Sequence, residues 1–178
     1  MRALFILTIS SVFVVPAAAQ DRCKWTSGDT GSVSTYPQQL NIDVGDTPGH
    51  IIGVYELHSV AGPNSKPNCE GLKDKEVSSY GTRDYRDRNG RASGYIIETL
   101  ENGDKIYQEF SGTTQTAIAA DGSKKTTYEG VAYYVGGTGR YQTVRGYERD
   151  HLIVDWPAGE SKPSGTHSTA EGEYWFEK

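Results

Sequence analysis

Long hydrophobic runs are missing from most of this 178-residue chain. After residue 20 no stretch holds 18 consecutive apolar residues, which excludes a chain that spans a bilayer with helices. Methionine occurs once, leucine and alanine are sparse, and no useful length of 3.6-residue periodicity is found. A helical bundle is therefore excluded. An excess of positive charge is also lacking: 18 Lys and Arg against 23 Asp and Glu leave a net charge of -5. That argues against a protein that grips a nucleic-acid backbone, which needs a basic face. Cysteine is limited to Cys23 and Cys69, with no C-x-x-C pair. No H-x-H or H-E-x-x-H brings His50, His58, His151 and His167 into a metal-ligand pattern. His50 and His58 share a strand face but stand about 26 Å apart along it, so no metal site is expected. G-x-S-x-G and a phosphate-loop Lys-Ser/Thr are missing too, and no cofactor is implied.

What is abundant is glycine, with 21 residues, and tyrosine, with 12. Together with threonine these suit short strands and tight turns. The N-terminus has a different character. Arg2 is followed by a mostly apolar run from Leu4 to Val15, broken by Pro16, and Ala17-Ala18-Ala19 fits a small-x-small cleavage site. Residues 1–19 are expected to be an export signal, giving a periplasmic or secreted protein with no membrane insertion. Cys23 follows Asp21 and Arg22, not the small residues of a lipid-anchoring signal. In an oxidising compartment the two cysteines are expected to form a disulfide, the alternatives being two free thiols or a catalytic thiol.

Residues 20–48 read as an irregular N-terminal segment and 49–178 as one β domain. Period-two runs cover 49–59, 76–88, 92–101, 104–114, 124–135, 141–155 and 172–177. The run at 141–155 reads as one strand bent near Gly146 or as two strands turning at Arg149-Asp150. Hairpin turns are expected at Asn89-Gly90, Asn102-Gly103 and Asp121-Gly122. Seven or eight mostly antiparallel strands close most simply into a barrel or sandwich, which manages the edges. In the first run His50, Ile52, Val54, Glu56 and His58 share one face, and Ile51, Gly53, Tyr55 and Leu57 the other. Both faces are partly apolar. A covering element or a homo-oligomer contact would each account for that.

Two strings carry a family resemblance. Thr127-Tyr128-Glu129 leads through an apolar strand into Gly136-Gly137-Thr138-Gly139-Arg140-Tyr141, with Gly146 five residues on. Upstream stands Val54-Tyr55-Glu56-Leu57-His58. In order and content these resemble the allene oxide cyclase barrel superfamily, which includes the dirigent proteins, over roughly residues 49–148. The resemblance implies a single closed antiparallel β-barrel of about eight strands, calycin-like, around a largely apolar cavity. It implies that Glu56 is an acid/base group of that cavity, with His58 where the cyclases carry an asparagine. The cavity cysteine of the cyclases has no counterpart here.

Glu56 and His58 lie two apart on one strand, so both point the same way. A carboxylate and an imidazole in an apolar cavity are tunable near neutral pH, as acid/base chemistry needs. The other reading places them on a solvated face, where most strand carboxylates lie. Tyr80, Tyr95, Tyr107 and Tyr128 are candidate ligand-binding residues, since an aromatic lining suits a flat phenolic or polyunsaturated molecule. Core packing is the plainer explanation for any one of them. The expected function is binding of a small hydrophobic or aromatic molecule, with a cofactor-free cyclisation, isomerisation or elimination if Glu56 and His58 are catalytic. A non-catalytic carrier is the alternative.

Overall fold

The computed structural model describes residues 21–160 and 163–178. The expected export signal at 1–19 lies outside them. Nine strands follow one another: β1 (Cys23–Ser27), β2 (Val33–Asp43), β3 (His50–Val60), β4 (Asp74–Arg86), β5 (Asn89–Leu100), β6 (Lys105–Ile118), β7 (Lys124–Gly137), β8 (Val144–Trp156) and β9 (Gly165–Phe176). A short 3-10 helix, Gly139–Thr143, joins β7 to β8. All neighbouring strands are antiparallel, in the order β1-β9-β8-β7-β6-β5-β4-β3-β2. Residues from both ends of that order, Trp25 of β1 and Tyr36 of β2, line one cavity, so the sheet is rolled upon itself. No ladder joins β1 to β2 among the described residues. The fold is thus a rolled nine-stranded sheet, and the expected ladder-closed barrel of about eight strands is corrected in that respect.

The two extra strands come from the segment expected to be irregular. β1 pairs with β9 and alternates buried and exposed positions, with Trp25 opposite Gly172. β2 pairs with β3 but is exposed along its whole length. Its period-two pattern is interrupted by a bulge between Thr35 and Gln38, the stretch that contains Pro37. Proline cannot donate to a ladder and is confined to edges and bulges, and β2 is the sheet's edge.

Two of the three expected turns are settled by local chemistry. Asn102-Gly103 and Asp121-Gly122 do join adjacent strands. In each, the glycine N–H bonds the carbonyl three residues earlier, Gly103 to Leu100 and Gly122 to Ala119, both at 2.9 Å. The two glycines take φ of 89° and 84°. The turn between β4 and β5 lies one dipeptide earlier than expected. Asp87 and Arg88 take positive φ, 49° and 68°, and Arg86 pairs with Asn89. Asn89 is occupied otherwise, its Oδ1 accepting from the Thr116 amide at 2.7 Å. From Val144 to Trp156 the chain is one strand, with no turn at Arg149-Asp150.

One end of the rolled sheet is closed by a core of Leu100, Ile106, Tyr134, Tyr141, Val144 and Tyr174. The Gly136–Tyr141 string builds this end. A side chain on Gly137 would collide with the Lys105 carbonyl, its Cβ lying 2.2 Å away. The Thr138 hydroxyl accepts from the Lys105 amide at 2.8 Å, and Tyr141 is wholly buried. The connection between β3 and β4 lies over this core. Asn68 Nδ2 donates to the Tyr141 hydroxyl at 2.9 Å, and both the Tyr141 and Tyr174 hydroxyls donate to Glu70. A disulfide between Cys23 and Cys69 ties the connection to β1, with Cα atoms 6.1 Å apart. No helix among the described residues is long and apolar enough to cross a membrane.

Candidate functional site: an acid-bearing cavity

Inside the sheet lies a cavity of about 760 Å³. Strand alternation decides what reaches it. β3 sends in Ile51, Tyr55 and Leu57; β5 sends Ala92, Ile96 and Glu98; β8 sends Glu148, Asp150, Leu152, Val154 and Trp156. Opposite the larger groups stand small ones. Glu148 pairs with Ala132 and Gly172, and Asp150 with Gly130 and Ala170. Gly112 and Gly130 leave the space that the Tyr128 ring fills, for a Cβ on Gly112 would sit 2.5 Å from that ring. Tyr55 covers Gly81 in the same way. Glycine here makes room on the wall for flat rings and for carboxyl groups.

The expected pair does not enter this cavity. Glu56 and His58 lie on the β3 face opposite to Ile51, Tyr55 and Leu57, the face that also carries Ile52 and Val54, 48% and 51% exposed. His58 is half-exposed and faces Glu76 of β4 at 3.4 Å. The odd-numbered positions of β3 form the inner wall, and a residue two along from Val54 shares its outward direction. Of the four tyrosines, Tyr128 lines the cavity. Tyr80 and Tyr95, 45% and 60% exposed, pair with each other on the outer face. Tyr107 alternates with Ile106 and Gln108, which are buried, and does not line the cavity.

Four carboxyl groups that sequence patterning did not single out do line it: Asp74 of β4, Glu98 of β5, and Glu148 and Asp150 of β8. None of them has an ion-pair partner among the described residues. Burial pushes Glu98 well above the usual carboxylate range, and the neighbouring Asp74, Glu148 and Asp150 push it the same way. Its remaining exposed surface opens onto the cavity. Glu148, 6% exposed, is raised to about 8, first by burial and then by Asp150. Asp150 is raised to about 6 and Asp74 is also raised, both by burial. Loss of hydration disfavours the charged form, and like charges add to the effect.

The groups around Glu148 are hydrogen-bond donors. The Tyr134 hydroxyl donates to Glu148 Oε2 at 2.9 Å. Burial holds the Tyr134 and Tyr128 hydroxyls protonated. Gln108 is 0% exposed and acts on both Glu98 and Glu148, lowering the pKa of each. Yet neither its amide nitrogen nor its amide oxygen completes a hydrogen bond. The amide therefore stands near both carboxyls, outside bonding geometry with either. Towards the other end, Arg83 donates to Gln39 and Asn41, both at 2.8 Å, and Arg88 stacks over Trp156 at 4.1 Å.

Nothing in this arrangement depends on a known relative. No family model and no curated protein matches the chain. Among solved structures, a pterocarpan synthase dirigent protein is similar to it, with 12% sequence identity over 98% of this chain and 100% of that one, and a TM-score of 0.43.

Proposed function

We propose that the chain binds a small, largely apolar or aromatic molecule inside the rolled sheet. The observation that carries this reading is the cavity: about 760 Å³, its surface mostly apolar, with the carboxyls of Asp74, Glu98, Glu148 and Asp150 close enough to act on one another. Ligand sites have this size and this balance, the apolar wall supplying affinity and the few polar groups orientation. The Cys23–Cys69 bond supports the expectation of export, since an oxidising compartment favours disulfides.

One observation favours a catalytic extension. Glu148, itself buried and with a pKa of about 8, carries a proton at neutral pH. A carboxylic acid held neutral can protonate a bound molecule, and the ionised form can take the proton back. Cofactor-free cyclisation, isomerisation or elimination needs that exchange. Glu148 takes the part first expected of Glu56, with Glu98 as its neighbour.

The test is a fluorescence titration with Nile red, a neutral apolar dye. Saturable binding with a blue-shifted emission is expected. Ala170→Phe, which fills the space beside Asp150, should weaken it at least tenfold while the circular dichroism spectrum is unchanged. Non-saturable binding, or a folded Ala170→Phe protein that binds as the parent does, would refute the cavity as a ligand site.

A further inference from the structure

We propose that the molecule bound here is an organic cation: a protonated amine or quaternary ammonium on an aromatic or apolar body, its charge seated among Asp74, Glu98, Glu148 and Asp150. This rests on the cavity being a ligand site, and it names the ligand's chemical class. Three independent features point to it.

The first is unbalanced charge. Four carboxyls from three strands meet in one cavity without a single ion pair. Of the cationic residues that share the lining, Arg83 is engaged with Gln39 and Asn41, Arg88 with Trp156 and His151 with Glu129, while Lys66 is exposed in the connection between β3 and β4. Buried carboxyls without a counter-charge are costly, and one cation among them would relieve several at once. The second is Gln108, wholly buried beside Glu98 and Glu148 with both amide atoms unpartnered. Its Oε1 is free to accept an N–H from a bound ammonium or to meet the positive methyl surface of a quaternary one. The third is the wall: Trp25, Tyr128, Tyr134 and Tyr174 line the same space. Aromatic faces attract ammonium groups, most strongly when water is excluded.

The proton balance follows. The ligand arrives charged, Glu148 gives its carboxyl proton to solvent, and a carboxylate–ammonium pair remains in the cavity. Asp150 on its own strand, Tyr134 from β7, neutral Gln108 from β6 and Asp74 from β4 act on Glu148, and Glu98 from β5 and Tyr128 from β7 feel its charge. Lys66, Arg83, Arg88 and His151 share the lining, and none of them is ion-paired with Glu148 among the described residues. Affinity should therefore rise about tenfold per pH unit below the free-state pKa of Glu148, for one proton released, and level off above it.

The experiment uses benzyltrimethylammonium and its uncharged carbon isostere, neopentylbenzene, each displacing Nile red at pH 6, 7 and 8. Benzyltrimethylammonium is expected to bind at least tenfold more tightly at pH 7. Its affinity should climb with pH, and calorimetry in buffers of different ionisation enthalpy should register about one proton released. Glu148→Gln should flatten the pH dependence, and Glu98→Gln, a second neutral substitution, should weaken the cation more than the isostere. Equal or tighter binding of neopentylbenzene, pH-independent affinity, or failure of benzyltrimethylammonium to displace the dye overturns the inference. Whether Nile red itself binds decides separately on the cavity, so the two readings fail by different results.

Discussion

Replacing Glu148 with glutamine tests the acid cavity without any ligand. Glutamine keeps the shape and can still accept from Tyr134, but it cannot ionise. In the folded chain the Glu148 pKa is raised from 4.5 to about 8. The unfolded chain therefore gives up this proton more readily than the folded one. The stability that goes with the neutral carboxyl is fully present below pH 4.5 and is lost progressively as pH rises towards 8. At about 1.4 kcal/mol per pH unit for one proton, the parent should lose on the order of 4 kcal/mol across that interval, an upper limit because the carboxyls share their protons. Chemical denaturation of parent and Glu148→Gln at pH 5, 6, 7 and 8 measures the difference directly. The two stabilities should diverge with pH, with the variant the more stable at pH 8. His50 also has a raised pKa, chiefly through its bond to Asp46. It contributes stability below pH 6.5 that is lost as pH passes its folded pKa, but it is common to both proteins and cancels in the difference. Parallel curves for parent and variant would refute a buried, proton-holding Glu148.

Other perturbations follow from the same geometry. Reduction of Cys23–Cys69, 46 residues apart in sequence, should cost about 4 kcal/mol by the loop-closure argument, read as a fall in denaturation midpoint with dithiothreitol. Gly146→Ala places a Cβ 2.1 Å from the Glu173 carbonyl at φ 148°, and should destabilise by roughly 2–4 kcal/mol in thermal unfolding. Gly112→Ala drives the Tyr128 ring off the wall into the cavity; Nile red affinity should drop several-fold, and more than unfolding stability explains. Glu56→Gln, on the outer face, should leave dye affinity unchanged and shift stability by no more than about 0.5 kcal/mol.

Much of the sheet was legible because its signals are local. From β3 to β8 the period-two runs fall within a few residues of the strands, and the Gly103 and Gly122 turns satisfy their own hydrogen bonds. Misread segments are those settled by distant partners. Trp25 gains its strand from Gly172 and its neighbours in β9, nearly the whole chain away. β2 hides behind Pro37 and its bulge. Asn89-Gly90 looks like a turn by composition, but Asn89 is needed by Thr116 of β6, and the turn moves to Asp87-Arg88.

The site was less legible, for a reason that lies in the wall rather than in the acids. On β8, Glu148 and Asp150 alternate with Arg145, Arg149 and His151, so charge occurs on both faces and alternation does not say which is inside. His151 faces outward to Glu129, 2.5 Å away, while Asp150 enters the cavity. What makes the inward positions tenable is the register: Gly130, Ala132, Ala170 and Gly172 stand beside the two carboxyls and leave them space. No side chain from a flanking position seals them away from the cavity, and none supplies a counter-charge. Glu56 has no such neighbours. Gln38 and Tyr80 flank it on the outer surface, where a carboxylate keeps its water. A strand carboxylate acquires chemistry here when small residues on both adjacent strands admit it to an enclosed space, and that condition is visible only once the pairing is known.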